Sequence, residues 1–93
     1  MRIKPVEIDT IKQCLYQIDQ YASVYLFGSR IDDTKKGGDI DLLIISNDID
    51  FSEKLQLKIC ITNKLGEQKI DLLISPENKT SFARLVLESA IKL

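Results

Sequence analysis

The stretch Asp39-Ile40-Asp41-Leu42-Leu43-Ile44-Ile45 decides the fold of this 93-residue chain. The apolar run that follows the two aspartates is typical of a central strand that is buried on both faces. Residues i and i+2 of a strand lie on the same face, about 6.5–7 Å apart. Asp39 and Asp41 therefore repel each other, and they require either a nearby cation or a raised pKa. Carboxylate oxygens favour Mg²⁺ or Mn²⁺ over zinc.

A strand and a glycine turn precede this stretch. Ser23-Val24-Tyr25-Leu26-Phe27 is rich in β-branched and aromatic residues and predicts a strand, which ends at Gly28-Ser29-Arg30. Gly28 permits a tight turn and the close approach of a ligand, and the Ser29 hydroxyl with nearby backbone N–H groups can hold a phosphate. Gly-Ser alone is a common turn. Gly-Ser after a strand, followed by nine residues and then Asp-x-Asp on a second strand, is far more specific.

A third aspartate lies in a later predicted strand, residues 68–75. Its Ile-Asp-Leu-Leu-Ile is identical to the sequence of residues 40–44, and two similar buried strands explain this better than a duplication. Asp71 is costly to bury in an apolar strand unless it is paired or bound to metal. If this strand lies beside the first, Asp71 converges with Asp39 and Asp41 on one surface.

Composition indicates one small soluble domain, residues 1–93, and the order of the predicted helices and strands indicates the α/β (α+β) class. The net charge of −1, from 13 basic and 14 acidic residues, argues against direct nucleic-acid binding. The chain has no histidine, which excludes His-dependent triads. Cys14 and Cys60 lack metal spacing and predict buried, reduced thiols in a cytoplasmic protein. The sequence contains no stretch that predicts a membrane span or a signal peptide.

Hydrophobic spacing predicts three helices around a small mixed sheet. The first covers about residues 6–20. The second is bounded by an Asp50/Glu53 capping box and by Gly66, and two apolar stripes predict that it is buried over a wide arc. The third begins with Ser75-Pro76 and extends through Ile91. We expect the helices on one face of the sheet, and the carboxylates at an exposed edge of the other face.

Gly28-Ser29, Asp39-x-Asp41 and Asp71 together resemble the signature of the DNA polymerase β-like nucleotidyltransferase superfamily. The resemblance spans about residues 22–75, and the short length is similar to that of its minimal branch, the MNT proteins. It implies that Asp39, Asp41 and Asp71 are catalytic and bind two Mg²⁺ ions, with ATP as substrate. Gly28 and Ser29 would hold its phosphates, and Arg30 or a loop lysine (Lys35, Lys36) would guide the triphosphate, unless this loop is only a solvated turn.

The MNT proteins are similar to the antitoxins that accompany HEPN-domain ribonuclease toxins. The resemblance therefore implies transfer of AMP to a hydroxyl of a HEPN-type partner in a hetero-oligomer. Two alternatives remain: a non-catalytic antitoxin that acts by binding alone, and a minimal transferase with another acceptor, such as a small molecule. A drug-modifying enzyme usually needs a second domain, for which this chain lacks the length.

Overall fold

Seven helices and strands and one short turn make up the part of the protein that the structure describes. The computed structural model describes residues 1–34, 38–66 and 68–93. The helices and strands are α1 (Pro5–Ile18), β1 (Ser23–Phe27), β2 (Ile40–Ile45), α2 (Phe51–Leu65), β3 (Ile70–Ser75), α3 (Ser81–Leu87) and β4 (Ile91–Lys92). A single 3-10 turn, Gly28–Ile31, follows β1 and is called the Gly-Ser turn below. In the described ranges, no helix combines the length and apolar character that a bilayer crossing requires.

The strands form one mixed sheet in the order β3-β2-β1-β4. β2 pairs antiparallel with β1 and parallel with β3, and β4 pairs antiparallel with β1. Ile40, Leu42, Leu43 and Ile44 of β2 have no exposed surface. The prediction of an α+β domain with a buried central strand is therefore confirmed.

α1 and α2 cover one face of this sheet and build the main core. That core consists of Ile11, Cys14, Leu15, Ala22, Val24, Leu26, Ile40, Leu42, Ile44, Leu57, Ile61, Ile70 and Leu72. The short α3 packs on the other face, where its Ala83 lies against Leu43 and Ile45, so the prediction that the helices lie on one face is wrong for α3. That second face also requires a cover because β2 is apolar on both sides beyond Asp41.

Local capping chemistry explains the start of α2 as predicted. The Asp50 carboxylate accepts a hydrogen bond from the Glu53 N–H at 2.8 Å, and the Glu53 carboxylate accepts one from the Asp50 N–H at 3.2 Å. The helix ends before Gly66, which has a φ of 83°. This reciprocal pair satisfies N–H groups that a helix start otherwise leaves without partners.

The predicted start of α3 is wrong. Ser75 remains in β3, where its carbonyl accepts a hydrogen bond from the Ser46 N–H at 2.9 Å. Thr80 is the N-cap instead, and its hydroxyl accepts from the Ala83 N–H at 3.1 Å. Strand pairing thus outcompetes the local Ser-Pro signal. The end is also wrong, since Ile91 belongs to β4 and pairs with Leu26.

Two further predictions about the helices are wrong. On α2 only Leu57 and Ile61 are buried, while Phe51, Leu55 and Ile59 are exposed, because α1 and the narrow sheet cover just one side of the helix. The cysteines are not reduced: Cys14 of α1 and Cys60 of α2 form a disulfide, with Cα atoms 6.0 Å apart. Their separation of 46 residues concealed this proximity, which arises because the two helices pack side by side.

Candidate functional site

Asp41 and Asp71 lie directly beside each other in the sheet. The parallel register of β2 and β3 makes them partners, and both point away from α1 and α2 because their neighbours Ile40, Leu42, Ile70 and Leu72 point toward those helices. Partner residues on adjacent strands are about 4.8 Å apart. The pairing of β2 with β3 thus brings together two carboxylates from segments 30 residues apart in the sequence.

The electrostatics of this pair are unfavourable for two anions. Burial raises the pKa of Asp41, and so do the negative charges of Asp71 and Asp39 and a side-chain hydrogen bond with Asp71; Lys69 opposes these effects. A hydrogen bond between two carboxyl groups requires a proton on one of them. The pair can therefore share a proton, or it can bind a cation that removes the repulsion.

Asp39 lies at the margin of the pair, just before β2. Its Oδ2 is 3.5 Å from the Lys69 Nζ, and both side chains are substantially exposed. Exposed ion pairs of this kind contribute little to stability, so the contact leaves Asp39 free to exchange Lys69 for another cation. Within the described residues, no three acidic, cysteine or histidine side chains form a ready-made metal site. Hard carboxylate oxygens at Asp41 and Asp71, with Asp39 nearby, nevertheless fit a divalent cation.

Gly28 brings the Gly-Ser turn into contact with this pair. It follows Phe27, the partner of Asp41 in the antiparallel register of β1 and β2, and has a φ of 77°. A Cβ atom at Gly28 would overlap the Oδ2 of Asp41. Only glycine allows the turn to start here without displacing that carboxylate.

Ser29 is held next to the chain that enters β2. A Cβ atom at Gly38, which has a φ of 90°, would overlap the Ser29 Oγ. The Ser29 hydroxyl therefore lies against the Gly38 backbone, one residue before Asp39. The predicted triphosphate-guiding lysines, Lys35 and Lys36, lie outside the described residues.

Arg30 makes hydrogen bonds within the protein. Its Nη1 donates to the Arg2 carbonyl at 2.9 Å, its Nε to the Gly38 carbonyl at 3.3 Å, and its Nη2 to the Gln68 Oε1 at 3.4 Å. The sequence predicted that Arg30 binds a triphosphate. The structure places its guanidinium in a network that braces the Gly-Ser turn.

A buried carboxylate, Glu7 of α1, completes this network. It accepts from the Lys4 N–H at 2.8 Å and from the Gln68 Nε2 at 2.9 Å. Although burial opposes ionisation, those two hydrogen bonds and the charges of Arg30 and Lys4 hold the pKa of Glu7 below its ordinary value. Sequence patterns missed Arg2, Glu7 and Gln68 because the contacts that join them to the Gly-Ser turn and to one another link residues 27 or more positions apart along the chain.

Comparison with known proteins identifies the family. A family model described as polymerase beta, nucleotidyltransferase matches residues 9–93. The chain belongs to this family. The prediction of a minimal nucleotidyltransferase domain is thereby confirmed, and domains of this family use a nucleotide substrate and a divalent metal.

The nucleotidyltransferase fold is also found in a solved structure. A crystal structure of a presumed nucleotidyltransferase superimposes with a TM-score of 0.66 at 24% identity, covering 92% of this chain and 96% of that one. At this identity the likeness shows the fold alone. No relative was found among curated proteins.

Proposed function

We propose that this nucleotidyltransferase domain transfers AMP from ATP to a hydroxyl group of a partner protein in a Mg²⁺-dependent reaction. The observation that carries the proposal is that Asp41 and Asp71 lie opposite each other on the paired strands β2 and β3, next to Gly28. Two carboxylates whose repulsion a cation would relieve, beside a turn suited to phosphate, are the parts that metal-assisted nucleotidyl transfer requires.

The binding roles follow from position. Asp41 and Asp71, with Asp39 beside them, would hold two Mg²⁺ ions. When bound, Mg²⁺ neutralises negative charge on the triphosphate and polarises its oxygens. The Ser29 hydroxyl and the N–H groups of the Gly-Ser turn would hold the β- and γ-phosphates, which aligns the α-phosphorus with the acceptor.

The reaction exchanges one P–O bond for another. The acceptor hydroxyl oxygen bonds to the α-phosphorus of ATP, while the bond from that phosphorus to the oxygen bridging toward the β-phosphate breaks, and pyrophosphate leaves. The Asp71 carboxylate accepts the hydroxyl proton as general base. Asp41 stays on the nucleotide side, where burial and neighbouring charges favour a bound cation.

A folded protein is the acceptor that we infer. Asp39, Asp41 and Asp71 are each partly exposed, and α3 covers only part of the sheet face to which Asp41 and Asp71 point. An acceptor on such a face supplies much of its own recognition surface, which favours a protein over a small molecule. The resemblance to MNT proteins suggests a HEPN-type ribonuclease toxin, which this chain would neutralise in a hetero-oligomer.

The test is transfer of label from ATP carrying radioactive α-phosphate. The purified chain with Mg²⁺ should label a co-encoded HEPN-type protein and lower its ribonuclease activity. Asp39→Asn/Asp41→Asn should abolish both effects and Ser29→Ala should reduce them. The matched control Asp9→Asn/Asp48→Asn, which removes two exposed aspartates elsewhere, should not change them.

Two results would favour the alternatives. Equal inhibition of the toxin by wild type and by the Asp39/Asp41 double variant, without label, would mean that the chain acts by binding alone. Tight binding of ATP and Mg²⁺ with no labelled protein would leave a minimal transferase with a small-molecule acceptor.

A further inference from the structure

Arg2, in the segment before α1, forms several hydrogen bonds to the Gly-Ser turn. This set of bonds is called the grip below. The Arg2 guanidinium donates through Nη2 to the Ser29 carbonyl and through Nε to the Asp32 carbonyl, each at 2.9 Å. The Arg2 N–H donates to the Arg30 carbonyl at 2.7 Å. One residue thus contacts three of the four carbonyls from residue 29 to residue 32.

This grip is reciprocal. Arg30 returns a hydrogen bond to the Arg2 carbonyl at 2.9 Å and reaches the Gly38 carbonyl at 3.3 Å. Through Gln68 the network continues to Glu7, which is 6% exposed. Because the guanidinium is planar and donates in fixed directions, such a set of bonds fixes orientation as well as distance.

The grip surrounds the one side chain of the turn that carries a hydroxyl. Arg2 holds the carbonyl of Ser29, and Arg30 holds the carbonyl of Gly38, whose Cα faces the Ser29 Oγ. The backbone of Ser29 is thus hydrogen-bonded to Arg2, and the Gly38 backbone beside the Ser29 hydroxyl is hydrogen-bonded to Arg30. The family match begins at residue 9, so Arg2 and Glu7 lie before the part of the chain that it covers.

We propose that Arg2 is a positioning residue, which fixes the Ser29 turn for phosphate binding through its fork of hydrogen bonds. The inference rests on the proposed function for the identity of the ligand, but not for the grip itself. Loss of the fork removes the hydrogen bonds to the Ser29 and Asp32 carbonyls and leaves residue 2 bonded to the turn only through its backbone. Misplacement of a contact group by about 1 Å costs up to about 100-fold in activity.

Two measurements on the full chain test this role. In hydrogen exchange, Arg2→Ala should accelerate exchange of the amides in residues 29–32 in the absence of nucleotide. In titration with ATP and Mg²⁺, it should weaken affinity by about tenfold or more. Arg2→Lys keeps the charge but cannot donate to the Ser29 and Asp32 carbonyls in the same geometry, so it should resemble Arg2→Ala.

Arg84 offers a matched control. Its guanidinium likewise holds a turn, with Nη2 donating to the Asn78 carbonyl at 3.1 Å and Nε to the Lys79 carbonyl at 3.3 Å, but on α3. Arg84→Ala should accelerate exchange only near residues 78–80 and leave nucleotide affinity unchanged. A general loss of stability would instead affect both variants alike.

Three outcomes would overturn the inference. Unchanged exchange at residues 29–32 in Arg2→Ala would disprove the grip, and faster exchange with unchanged affinity would disprove its role in binding. Full recovery in Arg2→Lys would attribute the effect to charge and not to the fork. Absence of nucleotide binding in the wild type would instead refute the proposed function, and the exchange result would then decide the grip alone.

Discussion

The two faces of β2 differ in what their residues contribute. Ile40, Leu42 and Ile44 point toward α1 and α2 and are fully buried, which stabilises the fold at about 25 cal/mol per Å² of apolar surface removed from water. The opposite face begins with Asp41, whose pKa is raised by burial and by neighbouring negative charge. Adjacent residues of one strand thus have opposite effects on stability.

β3 repeats this division. Ile70 and Leu72 join the main core, while Asp71 lies between them on the other face, beside Asp41. The face covered by α1 and α2 supplies the larger core. The fold can therefore tolerate two like charges on the opposite face, which α3 covers only in part. The arrangement separates the residues that hold the sheet from those that we assign to chemistry.

The sharpest way to test this comparison is to change neighbouring residues on the two faces. Asp41→Asn should lower nucleotidyl transfer by about 100-fold or more, since metal-assisted charge stabilisation is worth several kcal/mol. It should also raise the Tm of the metal-free protein at neutral pH. Ile40→Val should leave nucleotidyl transfer unchanged but lower the free energy of unfolding by about 1 kcal/mol, which corresponds to a Tm about 4–8 °C lower.

Label transfer and thermal melts in chelator measure these effects. A lower Tm for Asp41→Asn would show that Asp41 contributes to the fold and does not oppose it. Nucleotide affinity equal to wild type in this variant would remove Asp41 from the metal site.

Two glycines with similar backbone angles give a second, smaller contrast. Gly28 and Gly66 have φ values of 77° and 83°, so alanine at either position is strained by about 1–3 kcal/mol. A Cβ at Gly28 would overlap Asp41, whereas none of the described atoms lies within 4 Å of a Cβ at Gly66. Both variants should therefore lose stability, and only Gly28→Ala should also lose ATP affinity in Mg²⁺ titrations. Equal affinities would mean that the turn does not contact the nucleotide side of the site.

The sequence predicted most accurately those features that local chemistry determines. The cap of α2 requires only Asp50 and Glu53, three residues apart, and it forms as predicted. The prediction of the start of α3 failed because the role of Ser75 depends on pairing with Ser46, which no local pattern shows. The disulfide of Cys14 and Cys60 escaped prediction for the same reason, since it depends on how two helices pack.

The residues of the candidate site and the pairing of Asp41 with Asp71 were predictable from the sequence, but the contacts around them were not. The spacing of Gly28-Ser29, Asp39-x-Asp41 and Asp71 selected residues that the structure places on neighbouring segments. It could not predict that Asp39 would contact Lys69, because that pair depends on the alignment of two chain segments entering parallel strands. It could not predict the Arg2 network either, since three carbonyl acceptors carry no sequence signature.

The smallest expected effect compares two carboxylates whose pKa values shift in opposite directions. Glu7 has a pKa below its ordinary 4.5, so its ionised form stabilises the fold above that pH, and this contribution disappears as the pH falls through the lowered value. Asp41 has a pKa above its ordinary 3.8, so its ionised form destabilises the fold at neutral pH, and the penalty disappears as acid protonates it.

In chelator at pH 7, Glu7→Gln should therefore melt a few degrees below wild type and Asp41→Asn a few degrees above it. Both differences in Tm from wild type should become smaller as the pH is lowered. The Tm difference of Asp41→Asn should shrink as the pH falls through the raised pKa of Asp41 toward 3.8, and the Tm difference of Glu7→Gln should shrink only below pH 4.5. Thermal melts across this range measure both at once. Differences that do not change with pH would arise from altered hydrogen bonds or packing, and would remove charge as the source of the contrast between the two positions.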